Sequence, residues 1–235
     1  RPPRSTLFPY TTLFRSTMID PLPGFYITPA YLAKYDATLL NVPRAAERLN
    51  ASMEARRMAM FIEERRGFAA TLQNALKAGE LTLRMMHGDP KVNNIMIDDY
   101  TGKGTAMIDL DTVSPGLIHY DFGDALRSTC NHAGEDEPNL SKVVFDLDLC
   151  AAFCKGYMAH ARGFLTEADR RYLYDAIRLI TFELGLRFFQ DYLAGSVYFK
   201  THHPEQNLNR ARVQFRLCES IESRERMIRD LLGTL

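Results

Sequence analysis

The tightest constraint on this chain lies in two short segments, Met86-His87-Gly88-Asp89-Pro90-Lys91-Val92-Asn93-Asn94-Ile95 and Ala106-Met107-Ile108-Asp109-Leu110-Asp111. Asp89 and Asn94 stand five residues apart, and Asp109 follows Asn94 by fifteen. Ile95 to Ile97 and Thr105 to Leu110 read as strands, joined by a turn-rich stretch from Asp98 to Gly104. Alone, Asp89 and Asn94 could be a turn rich in Asx residues after a strand. With Asp109 closing the second strand, the order, the spacing and the hairpin together point to chemistry rather than to a turn.

The pattern resembles the catalytic loop and metal turn of protein kinases, H-x-D-x-x-x-x-N followed by a hairpin and a second Asp. That resemblance implies that Asp89 orients the acceptor hydroxyl and takes its proton. It implies that Asn94 and Asp109 supply oxygens to Mg2+, which bridges the phosphates of ATP. Lys91, two residues beyond Asp89, is placed to offset charge on the transferring phosphoryl group, or else is a solvated loop lysine. Asp111 follows Asp109 at strand spacing, so both carboxylates would face one side, as a further metal ligand or as a loop brace. His87 reads as a brace for the loop. The literal Asp121-Phe122-Gly123 lies beyond the Pro115-Gly116 turn, so Asp121 and Asp124 are expected to cap a helix and bond loop backbone.

Net charge excludes some partners. Lys and Arg together number 29, as do Asp and Glu, so nothing points to nucleic acid or an anionic membrane. Cys130, Cys150, Cys154 and Cys218 show no zinc or redox spacing. They read as buried thiols suited to a reducing cytoplasm, and no apolar run approaches the ~20 residues of a membrane span.

Residues 1–16 have no helical or strand period and read as an artefact or a disordered tail. From Thr17 onward the chain reads as one unit. Helices are expected over Pro29 to Leu40, from Pro43 to Arg66, and on to Lys77, with a short apolar run at Leu81 to Met86. After the hairpin everything is helical in period: a short helix after Asp121, then Lys142 to Arg162, Glu167 to Ala194 and Glu205 to Leu232. Leu173, Ile177, Ile180, Leu184 and Phe188 form one apolar stripe, read as core. His202 and His203 have no partnering cluster and read as loop residues.

Asp89-Pro90-Lys91-Val92-Asn93-Asn94, Ile108-Asp109-Leu110-Asp111-Thr112, Pro115-Gly116-Leu117 and Tyr120-Asp121-Phe122-Gly123-Asp124 carry a closer likeness. It continues in Arg187-Phe188-Phe189, Asp191-Tyr192-Leu193, Tyr198-Phe199-Lys200 and Asn207-Leu208. These residues resemble the aminoglycoside phosphotransferase and choline kinase group, and within it the N-acetylhexosamine 1-kinases. The resemblance implies transfer of the ATP γ-phosphate to the anomeric hydroxyl of an N-acetylated hexosamine. It places Asp89, Thr112, Arg187 and Tyr198 at the sugar; the bland alternative for Arg187 is a structural salt bridge. Aminoglycoside and choline or other amino-alcohol acceptors are the rival substrates, and a non-catalytic binding module is the non-enzymatic rival.

The fold expected from this likeness is α+β and predominantly α, a protein-kinase-like C-terminal lobe with a small β hairpin. The residues before His87 hold no glycine-rich phosphate loop and no strand lysine. The N-terminal ATP lobe is therefore expected to be missing, and residues 17–235 to be inactive alone.

Overall fold

A computed structural model describes residues 20–234; residues 1–16, read as a tail, lie outside them. Helix α1 (Thr28–Asn41) opens with Pro29 in its first turn, where a missing N–H costs nothing. The single charged helix expected from Pro43 to Arg66 is instead α2 (Ala45–Asn50) and α3 (Met53–Arg65). Ser52 divides them, because its hydroxyl accepts the Ala55 N–H and starts a new helix. Helix α4 (Thr71–Lys77) follows.

Four short strands come next: β1 (Arg84–Met86), β2 (Ile95–Ile97), β3 (Gly104–Met107) and β4 (Ser114–Gly116). They form two antiparallel pairs, β2 with β3 and β1 with β4. The expected hairpin is thus present, but the claim that all beyond it is helical is corrected by β4. Pro115 hid that strand; it stands opposite Met85 in a two-stranded sheet, where every strand is an edge and the ring is tolerated.

Helix α5 (Ile118–Thr129) begins before the expected Asp121. Helix α6 (Leu147–Ala161) starts where the Asp146 side chain accepts from Asp148 and Leu149 N–H, later than the expected Lys142. The two long helices expected near the C-terminus each break once. They are α7 (Glu167–Arg171) with α8 (Leu173–Ala194), and α9 (Gln206–Ser223) with α10 (Glu225–Gly233). Neither Tyr172 nor Arg224 is a helix breaker, so the apolar period runs through both bends unmarked.

Helix α8 is the axis of the fold, with α9, α5 and α1 packed around it. It is buried nearly all round, more than a single stripe requires. Two glycines set the closest approaches. A Cβ on Gly185 would lie 2.5 Å from Phe215 of α9, and one on Gly123 of α5 would lie 2.6 Å from the Ala176 carbonyl. Apolar packing falls into three clusters: α5, α6, α9 and α10 around Phe122 and Phe145; α1 to α3 against α8 and α9; and a smaller one beneath β1 and β4. All four cysteines are buried and unbridged, as expected, with Cys150 and Cys154 in one cluster. Among the described residues no helix is long and apolar enough to cross a membrane.

Gly185→Ala should lower stability by about 1–3 kcal/mol, since a methyl has no room against Phe215. Urea denaturation measures this; an unchanged midpoint would mean that α8 and α9 separate freely.

Candidate active site

Strand β1 delivers the chain into the loop at His87, and three side chains and the His87 ring hold it there. Asp121, in the first turn of α5, accepts the His87 N–H at 2.6 Å and the Gly88 N–H at 2.8 Å. Thr112 Oγ1 donates to the His87 carbonyl at 2.8 Å, and Tyr26 OH donates to the Gly88 carbonyl at 2.7 Å. Gly88 has φ 87°, and a Cβ there would sit 2.6 Å from the Thr112 carbonyl, so glycine is required twice over. The His87 ring braces the next residues. Its Nδ1 accepts the Asp89 N–H at 3.3 Å and its Nε2 lies 3.1 Å from the Ile108 carbonyl, so one neutral tautomer serves both contacts. Burial pushes the Asp121 carboxyl up to about 6, against the pull of the two backbone N–H groups.

Asp89 projects from this clamped turn. Its Oδ2 receives both Lys91 Nζ and Asn94 Nδ2, the latter at 3.0 Å. Asn94 Nδ2 also donates to the Asp89 carbonyl at 2.8 Å. The side-chain amide of Asn94 is therefore oriented nitrogen-first towards Asp89, and Oδ1 is the atom it offers elsewhere. Ile108 N donates to the Asn94 carbonyl at 2.9 Å, so the β2–β3 ladder holds Asp109 beside the loop.

Asp109 itself is left-handed (φ 65°, ψ 61°), and residues Leu110–Thr112 wind into a 3-10 turn. A left-handed non-glycine residue is uncommon and marks a sharp redirection of the chain. The strand alternation assumed for Asp109 and Asp111 does not hold, because the left-handed residue and the 3-10 turn replace the strand there. Both are exposed. Asn94 Oδ1 and the Asp109 carboxylate are hard oxygen donors, the type Mg2+ prefers. Among the described residues no three His, Cys, Asp or Glu side chains gather as a metal group. Two protein ligands fit an ion that keeps waters and phosphate oxygens in its remaining positions.

Asp89 and Lys91 open onto a cleft of about 820 Å3, whose walls also include Thr112, Arg187 and Tyr198. Residues read separately along the sequence thus meet at one cavity. Asn94, Asp109 and Asp111 are not in that wall. One face of α8 supplies much of the floor: Ile180, Glu183, Leu184, Arg187 and Phe188, at helical spacing. Three members of the stripe read as core therefore also line the cleft.

Arg187 is half-buried, with its guanidinium carbon 5.1 Å from the Phe25 ring, 5.0 Å from Tyr31 and 5.6 Å from Phe199. Among the described residues it makes no ion pair and no hydrogen bond, so the salt-bridge alternative falls. Tyr198 is held by its backbone: buried Asp191 accepts the N–H groups of Val197, Tyr198 and Phe199.

Several cleft residues escaped sequence reasoning. Glu183 is 1% exposed and accepts from Thr28 Oγ1 at 2.7 Å. Burial pushes its carboxyl up to about 7, opposed by Arg187 and by the Thr28 hydroxyl. Buried Arg127 pairs with Asp124 and Glu135, each at 2.8 Å. Asp124 thus anchors an arginine instead of capping a helix, while Asp121 bonds loop backbone as expected. Polar residues inside an apolar helical period carry no signal that separates a cleft wall from a core. His202 and His203 lie in the loop before α9.

The family model described as the phosphotransferase enzyme family matches residues 14–164. The chain belongs to this family. It is accordingly a kinase-type enzyme, using ATP and a small-molecule acceptor. The match takes in the clamped loop, the hairpin and α5, and ends before α8, so Arg187 and Tyr198 lie outside it.

Glu183 and Asp121 both have folded values raised above the unfolded ones. Their stabilising contribution is complete below about pH 4 and is lost as pH rises through about 6 to 7. Glu183→Gln should therefore shrink the fall in urea midpoint between about pH 5 and about pH 8. An unchanged fall would contradict the assignment.

Proposed function

We propose that this phosphotransferase transfers the γ-phosphate of ATP to the anomeric hydroxyl of an N-acetylhexosamine. The observation that carries the reading is the single cleft joining Asp89 and Lys91 to Thr112, Arg187 and Tyr198. Asp89 Oδ2 is held by Lys91 and Asn94, which leaves Oδ1 to accept the acceptor hydroxyl and take its proton. Lys91, adjacent to that carboxylate, offsets charge on the phosphoryl group. Thr112 has given its hydroxyl proton to the His87 carbonyl, so towards a sugar it acts as an acceptor. Tyr198 offers a ring and a phenol, and Arg187 an unpaired donor fork. Asn94 and Asp109 would hold Mg2+, which when bound neutralises phosphate charge.

Residues 20–234 provide the acceptor and metal half of the site in this reading. Among these residues there is no glycine-rich strand pair. Choline is disfavoured because the cage of Phe25, Tyr31 and Phe199 holds the protein's own Arg187. A polycationic aminoglycoside would meet the same unpaired guanidinium.

Calorimetric titration with an N-acetylhexosamine, choline and an aminoglycoside tests the acceptor class. Binding of the N-acetylhexosamine alone is expected; binding of choline or the aminoglycoside in its place would overturn the reading. Where turnover with ATP and magnesium is followed, Asp89→Asn should lower kcat by about 10²–10⁴-fold with the fold intact. Retained turnover would remove Asp89 as the base.

A further inference from the structure

Glu183 and Arg187 stand one helical turn apart on α8, and both face the cleft. Oppositely charged side chains at this spacing ordinarily pair. These do not: no ion pair within 4 Å joins them. Each is occupied in a different way. Thr28 Oγ1 donates to Glu183 Oε2 and draws the carboxylate to one side. Three rings surround the Arg187 guanidinium and draw it to the other. Glu183 Oε1 has no hydrogen-bond partner among the described residues, yet it is not among the sealed unsatisfied atoms, so it meets the cleft. A buried carboxylate and a half-buried guanidinium, separately restrained and both incomplete, leave a gap with an acceptor on one side and donors on the other.

We propose that Glu183 is a specificity-determining residue that, with Arg187, recognises a secondary amide on the acceptor. The amide N–H donates to Glu183 Oε1, its carbonyl accepts from the Arg187 fork, and its methyl rests against Leu184 between them. Other groups match one half only. A carboxylate satisfies Arg187 but meets Glu183 and, close by, Asp124. An ammonium satisfies Glu183 but meets Arg187. An ester presents the carbonyl and lacks the donor. The inference rests on the N-acetylhexosamine reading and adds the residue that would tell such a sugar from its parent hexose.

Calorimetric titration of the whole chain, with an N-acetylhexosamine and with the analogue carrying an acetate ester in place of the amide, tests it. At about pH 8, where Glu183 is ionised, the wild-type chain should bind the amide about 10–100-fold more tightly, as expected of a hydrogen bond to a charged group. Equal affinities would overturn the proposal without reference to any variant. Glu183→Gln should reduce that preference to within about threefold, because Thr28 holds the glutamine oxygen where Glu183 Oε2 lies and turns its NH2 towards the ligand N–H. Glu183→Ala should do the same if Gln reorients, with circular dichroism confirming the helical fold of each. A preference that survives in both folded variants overturns Glu183 alone and leaves the hexosamine reading standing. Failure of the wild-type chain to bind either compound overturns both.

Discussion

The rest of the site depends on one carboxylate. Asp121 accepts both N–H groups at the start of the turn that carries Asp89, and so ties the loop to the first turn of α5. Helix α5 is packed onto α8 through Gly123, and α8 carries the floor of the cleft. A rigid path therefore runs from the helical core to Asp89. Thr112 and Tyr26 close the two carbonyls of the same turn, so its backbone has no freedom left to misplace Asp89. Two left-handed residues, Gly88 and Asp109, sit where the loop begins and where the hairpin ends, and of the two only Asp109, with a Cβ, is strained there. Such backbone persists only where the surroundings over-determine it, and here they do.

Helix α8 has two functions at once. Gly185 brings α9 close on one side, while Ile180, Glu183, Leu184, Arg187 and Phe188 face the cleft on another. Because the helix is buried nearly all round, its polar residues are displayed against low-dielectric surroundings, where hydrogen bonds to a ligand are stronger than in water. The cage of aromatic rings around Arg187 keeps a guanidinium there without a carboxylate to quench it.

Much of this was legible in the chain itself. The spacing of Asp89, Asn94 and Asp109 marked the loop and hairpin, because those residues must be near one another in both sequence and space. The helical periods locate most helices, and of the two roles expected for Asp121, bonding loop backbone is present while capping a helix is not. What the chain hid has physical causes. Strand β4 was masked by Pro115, and the bends at Tyr172 and Arg224 leave the apolar period intact. The strand spacing expected between Asp109 and Asp111 is absent because nothing local announces a left-handed aspartate at 109. Glu183 was invisible because its meaning comes from Thr28, 155 residues away.

In the proposed function Asp89, Thr112, Arg187 and Tyr198 form one acceptor cleft. Nuclear magnetic resonance on the isotopically labelled chain tests it directly, by following backbone amides and arginine Nε–H signals during titration with an N-acetylhexosamine. Concerted, saturable shifts are expected at the loop around Asp89 and Thr112 and at Arg187 and Tyr198 on the opposite wall. Shifts confined to one wall, or to a surface away from the cleft, would contradict it.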